Sequence, residues 1–182
     1  MKIAIIAWGS LIWDKRELPI IGEWQKGGPV LPIEFSRISS DGRLTLVIDD
    51  KNGVPVSTYY AQSGSTDLMQ AVEDLRKREG SPKEMIGVAS KTINNRRLGY
   101  EIIHAWAVDH GWYAVIWTGL PSNFEEKRHV PFTVQNGLDY LKTLESEKLN
   151  KAMEYIDLAP EQVDTPLRRG AVEKTGAREV IG

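Results

Sequence analysis

The chain opens on an unbroken apolar run, Ile3-Ala4-Ile5-Ile6-Ala7-Trp8, that stops at Gly9-Ser10. Such a run is too short for a stable helix, and no polar residue alternates through it. It therefore reads as a strand buried on both faces, which requires strands on either side and other layers above and below. Met1-Lys2 ahead of it resembles the start of a secretory leader. However, the run is short, and Leu11-Ile12-Trp13 enters Asp14 without a small-x-small cleavage site. No stretch approaches the ~20 apolar residues that span a bilayer. The expectation is a cytoplasmic protein without a membrane partner.

The segments after this strand predict an α+β domain. Residues 15–29, with two prolines, three glycines and mixed charge, read as a loop. Val30–Ser39, Leu44–Ile48 and Val54–Ala61 read as strands separated by Asp41-Gly42 and Asn52-Gly53, giving an antiparallel meander beside the first strand. The period then changes. Leu68, Ala71, Val72 and Leu75 lie at helical spacing, Thr66 stands as the N-cap, and Gly80 with Pro82 ends the element, so a helix is expected over 67–79. Strand character returns at Met85–Thr92, Tyr100–Asp109 and Trp112–Thr118. Beyond Pro121 the chain reads as helical, with Thr133 as a cap, a stripe from Leu138 to Ile156, and Thr165-Pro166 opening a last basic helix. No repeat or linker divides the sequence, so residues 1–182 are expected to form one domain, strand-rich over 1–120 and helical over 121–182.

Composition narrows the chemistry. With 23 basic and 25 acidic residues the net charge is −2, which argues against a polyanion surface and hence a nucleic-acid partner. There is no cysteine, which removes thiolate catalysis and thiolate metal sites, and His104, His110 and His129 do not lie at i, i+4 spacing. No metal or cofactor is expected. No Walker loop, Gly-x-Gly-x-x-Gly turn or Gly-x-Ser-x-Gly elbow is present.

Two stretches carry chemistry. A buried strand that ends at Gly9-Ser10 presents successive main-chain N–H groups where a glycine lets a ligand approach, an arrangement suited to a small carboxylate. Glu79 falls in the last turn of the expected helix, where the dipole disfavours its charge, while Arg76, Lys77 and Arg78 favour it. Arg37, on the second strand, is a candidate for meeting an anionic substrate. Trp106, Trp112, Trp117 and Tyr113 read as core aromatics of late strands, His104 as a packed or exposed strand residue, His110 as a hairpin residue and Arg168-Arg169 as a helix end.

Taken together, Gly9-Ser10-Leu11-Ile12-Trp13 after an apolar strand, a meander, and Leu-x-x-Arg-Glu at Leu75–Glu79 resemble the γ-glutamylcyclotransferase-like family, closest to its ChaC-type, glutathione-degrading branch. The resemblance covers roughly residues 3–118. It implies a small mixed β-barrel flanked by helices, here with a helical C-terminal extension. It further implies an enzyme that releases 5-oxoproline from a γ-glutamyl compound. Trp8, Gly9, Ser10 and Leu11 would grip the substrate's α-amino-acid end and Glu79 would carry protons, with no cofactor. Trp8 stands where the family has tyrosine and offers an N–H donor but no acceptor. A non-catalytic small-molecule-binding or regulatory module on the same fold is the other reading.

Overall fold

The computed structural model describes residues 1–179. Six strands form one mixed sheet in the order β3-β2-β4-β1-β6-β5: β1 Ile3–Ala7, β2 Ile20–Ile38, β3 Leu44–Ile48, β4 Val54–Ser63, β5 Ile86–Ser90 and β6 Ala114–Thr118. The α+β class holds. The sheet is open, ending at β3 and β5, so the expected closed barrel is corrected. The outer edge of β5 shows how an end is finished without closure. Val88 exchanges both backbone hydrogen bonds with Asn95, at 3.1 and 2.8 Å, and the Asn95 side chain donates to the carbonyls of Glu84 and Ile86. A short return of chain thus satisfies an edge that would otherwise seek another strand.

The chain separates into two compact units: Met1–Leu31 with Ser57–Leu120, and Pro32–Val56 with the chain from Pro121 onward. In the first, β1 is antiparallel to β4, with Ala4 opposite Gln62, and parallel to β6, with Ile5 opposite Ile116. Every residue of β1 is buried, as a central strand with no polar face requires. Helix α1 (Leu68–Glu79) lays Leu68, Ala71, Val72 and Leu75 into the same core as Ile3, Ile5, Leu11 and Leu18. Its N-cap is Asp67, whose carboxylate accepts Gln70 N–H at 2.8 Å; Thr66, expected there, lies one residue outside. Gly80 closes it in the left-handed region at φ 60°.

Three expectations fail here. Tyr100–Asp109 is a helix, α2, in place of a strand. Its buried residues Tyr100, Ile103, Trp106 and Ala107 follow helical spacing, but aromatic and β-branched side chains also suit a strand. His104 is consequently an exposed helix residue stacked on Tyr100 at 5.5 Å. Residues 20–29, expected in a loop, belong to β2; Gly22 (φ 73°) and Gly27 (φ 94°) break its regularity without ending it. The meander is also corrected, because β4 neighbours β2 and β1 and does not pair with β3.

In the second unit, β2 and β3 form an antiparallel hairpin with a register shift between Glu34 and Arg37. Helices α3 (Phe124–Arg128), α4 (Val134–Lys142), α5 (Ser146–Leu158) and α6 (Pro166–Glu179) follow, as expected beyond Pro121. The single stripe expected from Leu138 to Ile156 is interrupted between Lys142 and Ser146. Thr133 caps α4 by accepting Asn136 N–H at 3.0 Å, and Thr165 stands before Pro166 and accepts Arg168 N–H at 3.3 Å.

Candidate functional site

The geometry at the end of β1 follows from where the strand lies. Flanked by β4 and β6, it leaves the sheet from the middle, and Trp8 is still buried as it does so. The chain then closes a helical turn in which Gly9 O accepts Ile12 N–H at 3.0 Å and Ser10 O accepts Asp14 N–H at 2.8 Å. The N–H groups at the head of such a turn have no partner within it. Those of Gly9, Ser10 and Leu11 make no hydrogen bond among the described residues. Leu11 anchors the turn by entering the core that also holds Leu75 of α1.

That shared core explains where Glu79 goes. Residues four apart lie one above the other on a helix, so a fully buried Leu75 carries Glu79 on the same inward face. Its side chain is 18% exposed, although it is the last residue of α1. Burial raises its pKa, opposed first by Arg78 and then by Arg16. The three cations before Glu79 divide. Arg76 turns to Glu73 at 2.7 and 2.8 Å, holding that carboxyl down to about 2, and Lys77 reaches the same acid at 3.7 Å. Arg78 alone of the three reaches Glu79, Nη1 to Oε1 at 3.4 Å.

Arg78 also joins the two stretches that the sequence singled out. Its Nε donates to Asp14 O at 2.9 Å, Nη2 donates to the same oxygen, and Nη2 reaches Ser10 Oγ at 3.3 Å. One guanidinium therefore touches Ser10, the end of the turn and Glu79. Sequence reading treated Arg78 only as a charge acting on its neighbour. The available signal was its position beside Glu79, but nothing local showed that the side chain folds back over 64 residues of chain.

Other candidates have structural roles. Arg37 belongs to the second unit, where Nη1 donates to Pro121 O at 2.7 Å and burial lowers its pKa. Trp106 Nε1 donates to Gly27 O at 3.0 Å and Trp117 Nε1 to Leu98 O at 2.8 Å. His110 stacks on Trp106 at 4.6 Å with Nδ1 2.9 Å from its carbonyl. The Arg168 guanidinium donates to the carbonyls of Asp157, Ala159, Pro160 and Val163 around the end of α5. Two grooves of the first unit, about 320 Å³ between α1 and β5 and about 240 Å³ beside α2, are lined by residues other than Trp8–Leu11 and Glu79. No described helix is long and apolar enough to cross a membrane, and no group of three potential metal ligands occurs among the described residues.

Comparison with families of known proteins, with curated proteins and with solved structures finds no match to this chain.

Proposed function

We propose that the protein cyclises a γ-glutamyl amide or peptide, releasing 5-oxoproline and an amine, with Glu79 as the acid–base. The observation that carries this reading is the guanidinium of Arg78 hydrogen-bonded to the Ser10–Asp14 turn while 3.4 Å from a largely buried carboxyl. An acid–base group is most useful when its pKa lies near the working pH, and burial moves Glu79 upward in that direction.

In the reaction, Glu79 takes a proton from the substrate's α-ammonium. The freed amine attacks the side-chain carbonyl carbon, forming the C–N bond of a five-membered lactam. The γ-amide C–N bond then breaks as the leaving nitrogen takes the proton held by Glu79; the ring nitrogen's second proton follows through the same carboxylate, leaving a lactam N–H, a protonated amine and an ionised Glu79. No electron is gained or lost, and the nucleophile is part of the substrate. The protein's task is to fold the glutamyl unit so that amine and carbonyl meet, a step worth roughly 7–11 kcal/mol in well-oriented intramolecular reactions. The main-chain donors of Gly9, Ser10 and Leu11 suit the substrate's α-carboxylate, with the buried Trp8 preceding them in the chain. Arg37, whose Nη1 donates to Pro121 O, is given no part in the reading.

The test is an assay for 5-oxoproline with glutathione and a panel of γ-glutamyl amino acids and amines. Release by the native protein and a loss of about 10²–10⁴-fold in Glu79→Gln are expected. Binding seen as a thermal shift, with no 5-oxoproline from any member of the panel, would instead make the protein a binding module.

A further inference from the structure

Charged side chains are seldom buried, and one at the end of a surface helix ordinarily extends into water. Arg78 does the opposite: its side chain is 6% exposed, against 64% for Lys77 beside it. The guanidinium is built into the turn after β1. Nε and Nη2 converge on the single carbonyl of Asp14, and Nη2 also reaches the Ser10 hydroxyl. Two donors of one rigid fork on a single oxygen fix the plane of the group and direct Nη1 toward Glu79. These turn acceptors are neutral, so the hold does not depend on the charge of the carboxyl it faces.

We propose that Arg78 is the positioning residue of this site: it clamps the Ser10–Asp14 turn at a fixed separation from Glu79 and remains in place while Glu79 loses and regains a proton. The clamp itself is read from geometry; its use in catalysis rests on the cyclisation reading. The charged groups that face Glu79 are Arg78 from α1 and Arg16 from the segment after the turn. Arg16 is 63% exposed and 3.4 Å from the carboxylate of Asp14, so solvent and that acid both weaken it. Arg78 is therefore the dominant cation for Glu79. Lysine at this position would keep a charge but could not reproduce the fork on Asp14 O.

The experiment compares the native protein with Arg78→Met and Arg78→Lys, each checked for folding by circular dichroism. Carbon-13 NMR follows the Glu79 carboxyl through a pH titration, assigned by its loss in Glu79→Gln, and the pH profile of kcat/KM is measured alongside. In Arg78→Met, the Glu79 titration and the acid limb of the profile are expected to rise together by about one pH unit or more. In Arg78→Lys the titration should return toward the native value while kcat stays at least tenfold low. A folded Arg78→Met with an unmoved Glu79 titration overturns the proposal whatever its activity. Should Arg78→Met not fold, a lysine variant with native kcat overturns the positioning role. If the native protein releases no 5-oxoproline from any γ-glutamyl compound, the cyclisation reading fails, and the NMR titration still decides the clamp.

Discussion

Two buried glutamates, one in each compact unit, show how the same side chain is put to different uses. Glu34 of β2 is 1% exposed, and its carboxyl is fully engaged. Oε1 accepts Phe35 N–H at 2.7 Å, Oε2 accepts Leu167 N–H in the first turn of α6 at 3.4 Å, and Thr165 donates its hydroxyl. Glu79 is 18% exposed, and the described residues give it one cation at 3.4 Å with no backbone or hydroxyl donor. Burial raises the pKa of both. Glu34 ties a strand to the start of a helix, and moving a proton on or off it would disturb that tie. Glu79 keeps lone pairs free for another partner. The pattern of donors around each acid, more than the direction of its pKa, distinguishes the two, and the proposed role of Glu79 rests on that difference.

Substitution should split the two most sharply. Glu79→Gln is expected to lose 10²–10⁴-fold in turnover with its fold intact. Glu34→Ala should instead lower stability by about 3 kcal/mol in urea unfolding, because two buried amides lose their acceptor. Glu34→Gln, which keeps an acceptor oxygen, should cost less. A Glu34→Ala protein as stable as the native one would erase the contrast.

The pH dependence of stability gives a smaller effect with a defined sign. An acid whose folded pKa is raised binds more protons folded than unfolded between the ordinary glutamate value near 4.5 and its folded pKa. Its favourable contribution is complete below about 4.5 and is lost as pH rises through the folded pKa. Asp41, lowered by Ser39 and Arg43 of its own turn, and Asp49, lowered first by the Ser36 side chain and then by Asn52 and Lys51, act in the opposite direction, losing stability as pH falls. The difference between native protein and Glu79→Gln isolates one acid from this sum. Relative to the native protein, the variant should gain stability as pH rises above about 4.5, and a flat difference would show that burial does not raise Glu79.

The smallest effect concerns the start of α1, where sequence and structure place the cap one residue apart. Asp67→Ala should cost about 1 kcal/mol and Thr66→Ala close to nothing, as read from denaturant midpoints.

What was legible in the sequence was whatever a short window specifies. The apolar run of β1, the left-handed Gly80 and the caps at Thr133 and Thr165 all rest on residues close together. The helix Tyr100–Asp109 was hidden because Ile102, Ile103, Trp106 and Val108 satisfy strand preferences as well as helical ones. The open sheet was hidden because closure depends on how edges finish, and Asn95 finishes one with its side chain. Glu34 carries no local signal, since its acceptor role is set by an amide 133 residues away. Arg78 was hidden for the same reason. Long-range polar contacts leave no period in a sequence.

The most direct measurement is carbon-13 NMR of a γ-glutamyl amide labelled at its side-chain carbonyl, incubated with the native protein and with Glu79→Gln. The expected result is conversion of the amide signal to that of the five-membered lactam by the native protein, and its near absence with Glu79→Gln. Appearance of free glutamate in place of the lactam, or lactam formed equally fast by the variant, would contradict cyclisation driven by Glu79.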